Sequence, residues 1–204
     1  MKVRLHQGDL PDDFRCGDSL AIDTETLGLN PNRDRLCLVQ LSKGDGEADL
    51  VQIARGQTQA PNLVRLLGDP NIVKIFHFAR FDLAILQKTF GVRVAPVYCT
   101  KIASRLTRTF TDRHGLKDIV REMLGVEISK QQQTSDWGGE NLSEAQLAYA
   151  ASDVLYLHAL REKFDSLLAR EGRDQIAREC FAFLPARAEL DLLGWPEIDI
   201  FAHS

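Results

Sequence analysis

Four cysteines in 204 residues, at positions 16, 37, 99 and 180, form no Cys-x-x-Cys pair and have no histidine at a matching spacing. Neither a zinc site nor a disulfide framework is expected from them, and the thiols read as reduced and structural. No apolar run approaches the roughly 20 residues of a membrane span, and residues 1–15 lack the apolar core of a secretory signal. A cytoplasmic protein with no membrane partner is the expectation. Positive charge is short as well: 25 Lys and Arg stand against 29 Asp and Glu, for a net charge of −4. A protein that grips many phosphates carries a basic footprint, whereas a ligand with one or two phosphates needs no long basic track. Repeats and low-complexity tracts are absent too.

What is present suits one buried core. At 204 residues and 44% hydrophobic content, the chain is ample for one α/β domain and short for two. Strands are expected at 19–22, 36–42, 47–53, 71–78 and 92–99, the second and third joined at Gly44-Asp45-Gly46 as a hairpin. Helices are expected at Pro61–Gly68, at 81–88 and through 142–157, with Ser143 as N-cap. Beyond residue 170 the chain reads as a helical, apolar extension of the same domain. Its apolar groups, Trp195 and Phe201 among them, either pack on the chain's own core or form a subunit contact.

Chemistry concentrates in a few acidic positions. In Ala21-Ile22-Asp23-Thr24-Glu25-Thr26, residues two apart on a strand share a face, so Asp23 and Glu25 project together and invite a hard cation. Taken alone, a solvated strand end explains the pair better. Tyr149 and Asp153 stand at i and i+4 of a helical run and therefore face one point, on a side where an unpaired carboxylate is costly. Asp82 follows His77-Phe78-Ala79-Arg80-Phe81 where a strand turns into a helix, a place also suited to a simple cap. Strand, strand-to-helix turn and late helix, in that order, suit one site at the edge of a sheet.

The order Asp-x-Glu, Asp, Tyr-x-x-x-Asp resembles the DEDDy branch of the DEDD 3′→5′ exonucleases, which includes ribonuclease D. Gly115-Leu116-Lys117, Ser135-Asp136-Trp137 and Asp153 are similar to ribonuclease D in particular. Across the whole chain, Gln7-Gly8-Asp9-Leu10-Pro11, residues 109–116, 129–133 and 192–204 resemble the nano-RNase C diribonucleases. The resemblance implies a ribonuclease-H-like α/β fold, a mixed five-stranded sheet flanked by helices. It implies a single DEDDy exonuclease domain over 1–204, with 170–204 as the extension and without an accessory helical RNA-binding domain.

It also implies two divalent cations, Mg²⁺ or Mn²⁺, held by Asp23, Glu25, Asp82 and Asp153, with Tyr149 and Glu25 as catalytic groups. All-oxygen ligands suit these cations over zinc. Thr26 would help hold the 3′-terminal nucleotide and Leu29 would wedge between bases. His77 is a candidate sugar or phosphate contact or a structural histidine. Positive groups at Lys101, Arg105, Arg108, Arg113, His114 and Lys117 form a solvated face or a cap for the terminal phosphate, for which Arg108, Arg113 and His114 are the candidates. Trp137 is read as core or as a base platform. The implied activity is hydrolysis of 5′-phosphorylated diribonucleotides, pGpG among them, by a homo-octamer. A broader exonuclease on longer RNA or DNA, and a silent nucleic-acid-binding module, are the alternatives.

Overall fold

Strand pairing decides which side chains meet at the site. In the computed structural model, which describes residues 2–129 and 131–203, the chain runs β1 (Lys2–Gln7), β2 (Ser19–Thr26), β3 (Leu36–Ser42), β4 (Glu47–Gln52), α1 (Pro61–Gly68), β5 (Val73–Phe76) and α2 (Ala79–Phe90). It continues through β6 (Val97–Cys99), α3 (Thr100–Thr107), α4 (Leu116–Leu124), α5 (Glu144–Leu155), α6 (Leu157–Arg170) and α7 (Asp174–Leu193). Lys130 and Ser204, which fall in two of the motifs above, lie outside the described residues, as does Met1.

The sheet is mixed and has six strands, in the order β1-β4-β3-β2-β5-β6. The α/β class is as expected, but the count of five is corrected to six. The additional strand, β1, pairs in parallel with β4 about 45 residues later, Lys2 opposite Glu47 and Gln7 opposite Gln52, with no local turn to announce it. Its Arg4 and His6 bond Asp49 of β4.

β2, β3 and β4 form an antiparallel meander, and β5 and β6 extend it in parallel beyond β2. Directly opposite residues share a face. The register Asp23↔Gln40↔Leu50 and Glu25↔Leu38 therefore puts these side chains on one face. Leu38 and Leu50 pack there with Trp137 and Ala150, so α5 covers this face. Thr24, Val39 and Val51 point the other way, into the larger core shared with α2, α3, α6 and α7. Trp137 is core, 3% exposed, as one of its two readings had it.

Helix α5 starts where Ser143 caps it: Gln146 N–H donates to Ser143 Oγ at 3.2 Å, and Gln146 Oε1 accepts from Ser143 N–H at 2.9 Å. Satisfying both orphan amides fixes the helix phase, and with it the direction of Tyr149 and Asp153. The expected continuous helix to 157 breaks at Tyr156, which ends α5 and precedes α6. Strand β6 is shorter than the expected 92–99, because Pro96 has no N–H to give to a ladder.

Candidate metal centre

Three carboxylates from two elements meet in one place. Oxygens of Asp23, Glu25 and Asp153 lie within 4.8 Å of one another. They line a cleft of about 320 Å³ together with Asp82, Tyr149, Thr26, Leu29 and His77. A larger cavity of about 980 Å³ lies beside β6 and α7 around Tyr98 and Phe181, and none of these carboxylates lines it.

Asp82 enters from the other side of the sheet. It sits in the first turn of α2, 4% exposed, and its Oδ1 accepts the hydroxyl hydrogen of Thr24 at 2.6 Å. Thr24 points away from Asp23 and Glu25, so Asp82 is held from the opposite face of β2 while it lines the same cleft. Asp82 is not one of the three whose oxygens fall within 4.8 Å, but it faces the same space.

Crowded acids resist ionisation. Burial, then the charges of Asp82, Asp153 and Glu25, push Asp23 well above the usual carboxylate range. Burial, followed by Asp153 and Asp82, raises Glu25 to about 9. Burial lifts Asp82 to about 7, with the Thr24 hydrogen bond pulling the other way. Such a set is stable as carboxylates only around positive charge, and an all-oxygen donor set fits a hard divalent cation. The Tyr149 phenol is also pushed up, by burial first and then by Asp153, Glu25 and Asp23, so it stays protonated and serves as a hydrogen-bond donor. Its ring lies 6.0 Å from that of Trp137, at an interplanar angle of 37°.

The mouth of the cleft is apolar and exposed. Leu29 is 87% exposed on a loop that Asp34 braces by accepting from the Asn30 N–H at 3.0 Å. A Cβ on Gly28 would come within 2.3 Å of Asp34 Oδ2, so any side chain there would have to displace the Asp34 carboxylate. The Thr26 hydroxyl donates to the Gly28 carbonyl at 2.5 Å, tying the end of β2 to the same loop. Phe78, 46% exposed, has φ of 69°, a left-handed backbone that a bulky residue rarely adopts. The Lys101 ammonium sits 4.4 Å from its ring centroid. His77 Nδ1 is 2.9 Å from Thr100 Oγ1, which orients the imidazole at the cleft wall.

The basic groups divide between the cleft and the rest of the chain. Arg108 is 5% exposed, and its guanidinium donates to Ser104 Oγ at 3.1 Å, to the Arg113 carbonyl at 2.7 Å and to Glu122. A buried guanidinium must be paired, and this one is used inside the chain. His114 Nδ1 meets Ser104 Oγ at 2.9 Å, and Arg113 is exposed in the 108–115 loop. None of the three lines the cleft. Lys101 and Lys117 do, with Ser129 and Gln133. Both lysines belonged to the basic cluster legible in the sequence, but only the start positions of α3 and α4 reveal which members turn inward.

The 3′-5′ exonuclease family matches residues 11–169 of the chain. Ribonuclease D of Gluconacetobacter diazotrophicus is 40% identical over 154 residues, which are 76% of this chain and 39% of that protein. The chain thus spans about two fifths of the length of the curated relatives it matches. The structure of Brucella melitensis NrnC with bound Mg²⁺ superposes with a TM-score of 0.96 at 62% identity, covering 100% of both chains. The same protein bound to pGG gives 0.96 at 63% identity with the same coverage.

Proposed function

The chain belongs to the 3′→5′ exonuclease family of the DEDD superfamily, beside NrnC and ribonuclease D, and from that premise we propose that it hydrolyses 5′-phosphorylated diribonucleotides, pGpG among them, to mononucleotides. The convergence of Asp23, Glu25 and Asp153 carries the chemical half of this reading. Full-length similarity to a nuclease whose structure holds pGG supports the substrate half. The enzyme is a 3′→5′ exoribonuclease that depends on divalent cations.

Asp23, Glu25, Asp82 and Asp153 hold two cations, Mg²⁺ or Mn²⁺. Cations bound there supply an activated water and stabilise charge on the departing 3′-oxygen. Tyr149, a protonated phenol, donates a hydrogen bond that orients the attacking water. Glu25, beside Asp153, keeps that water's oxygen aligned with the scissile phosphorus. Leu29 and Phe78 offer apolar surface to bases, Thr26 and His77 offer polar contacts to the terminal nucleotide, and Lys101 and Lys117 offer positive charge for the terminal phosphate.

Exposed Leu193, Trp195, Ile198, Ile200 and Phe201 favour burial of this end in a homo-oligomer, for which we adopt the octamer. Residues 1–204 act as a single exonuclease domain with 170–204 as its extension. Among the described residues no helix is long and apolar enough to cross a membrane, and we assign the enzyme to the cytoplasm.

Similarity to ribonuclease D favours a second reading, trimming of longer RNA or DNA by the same carboxylates. Turnover of 5′-phosphorylated RNA of two to seven nucleotides and of a long RNA separates them. Dinucleotide turnover far above all other lengths is expected; similar rates at every length would discard the dinucleotide assignment.

A further inference from the structure

Gln40 breaks the pattern of its strand. β3 is buried throughout, and Gln40 is 0% exposed at its centre. Neither Oε1 nor Nε2 of this side chain has a hydrogen-bond partner among the described residues. A buried amide without partners is destabilising and calls for a physical reason. Ser42, the other polar residue of the strand, has one, since its hydroxyl donates to the Glu47 carbonyl at 2.8 Å.

Register points to what Gln40 serves. It stands directly opposite Asp23 on β2 and Leu50 on β4, on the face that α5 covers. Side chains of opposite residues have Cβ atoms about 4.5–5.5 Å apart, so a glutamine amide reaches a neighbouring aspartate carboxylate. Leu50 offers nothing polar. A carboxylate that binds a cation through one oxygen leaves the other to be oriented by a donor, and such outer partners sharpen metal affinity.

We propose that Gln40 is a positioning residue for Asp23: the amide, which bonds nothing among the described residues, turns its Nε2–H to the Asp23 carboxylate once that carboxylate ligates a cation, and holds the ligating oxygen toward the cleft. The inference rests on the metal-centre reading given above. It also accounts for a polar side chain kept in a strand whose neighbours Leu38, Val39 and Leu41 are all apolar.

The test is a calorimetric Mn²⁺ titration of the full chain without substrate, paired with thermal unfolding in EDTA, on wild type, Gln40→Leu and Gln40→Met. Methionine follows the unbranched path of glutamine and keeps the test valid if leucine perturbs packing. Both variants are expected to unfold in EDTA at or above the wild-type temperature, because an unpaired amide has been removed. Their Mn²⁺ affinity should fall by about 10- to 100-fold, the range for loss of an outer partner. Unchanged affinity in a folded variant, or a fall in EDTA stability that parallels the fall in affinity, overturns the positioning role. A wild-type chain that binds no Mn²⁺ overturns the metal reading and this inference together, an outcome distinct from either of those.

Discussion

Thr24 and Asp82 hydrogen-bond at 2.6 Å although Thr24 points away from the face that carries Asp23 and Glu25. The residue between the two site acids therefore controls a third one through the opposite face of the sheet. Its hydrogen bond lowers the Asp82 pKa against burial, which has raised it to about 7. Thr24→Val keeps the shape and deletes the donor. Asp82 should then ionise only at higher pH in the absence of metal, so Mn²⁺ binding, which must displace the Asp82 proton, weakens by about tenfold near pH 7 and recovers on the alkaline side. Mn²⁺ affinity that keeps the wild-type pH dependence would separate Asp82 from the metal centre.

Tyr149→Phe removes the phenol hydrogen bond and keeps the ring against Trp137. Turnover is expected to drop by about 10²–10⁴-fold while Mn²⁺ affinity stays close to wild type. Asp23→Ala or Asp153→Ala should abolish turnover in a folded protein and weaken the metal titration as well. Full activity of Asp153→Ala would remove this cleft from consideration.

Stability without metal should fall as pH rises. Glu25 has a folded value near 9 and Asp82 near 7, against ordinary carboxylate values of about 4. Between those limits the folded protein holds protons that the unfolded chain has released, so the unfolding free energy declines with increasing pH. In EDTA the unfolding temperature is expected to drop from pH 5 to pH 9, and Mg²⁺ should flatten the slope by holding the carboxylates ionised. A metal-free profile that rises over this range contradicts the clustered acids.

Asp191 holds two guanidinium groups: Arg80 at 2.5 and 2.7 Å, and Arg187 at 2.7 and 3.2 Å. Arg80 belongs to the turn of α2 that carries Asp82, and Arg80 and Arg187 also donate to the carbonyls of Pro196 and Trp195. Asp191→Ala should cost about 1–3 kcal/mol, less than a fully buried pair because Arg80 is partly exposed. Limited proteolysis should then cut sooner within residues 194–203. Cutting at the wild-type rate would show that the tail is held by other contacts.

Legibility in the sequence followed the range of the interactions. Asp23 with Glu25 and Tyr149 with Asp153 declare themselves because strand and helix periods, set by the local backbone, put each pair on one face. Asp82 was legible as a strand-to-helix position, but its link to Thr24 spans 58 residues and leaves no local trace. β1 was missed for the same reason, since its ladder to β4 closes a long loop. The pairing of Arg108 was not legible, because a cluster of basic residues does not reveal which guanidinium finds an acid such as Glu122. Gln40 carried no signal either, as a glutamine in an apolar strand becomes informative only when the register sets it opposite Asp23.

Phe78 sets a limit on how this enzyme can be improved. Its left-handed backbone costs on the order of 1–3 kcal/mol, and glycine would relieve that cost. A search for heat-resistant variants that scores folding alone would accumulate glycine at position 78 and discard the ring on which Lys101 rests. Thermal selection and catalytic selection thus pull this one side chain in opposite directions, and any stabilised version should be chosen by turnover first.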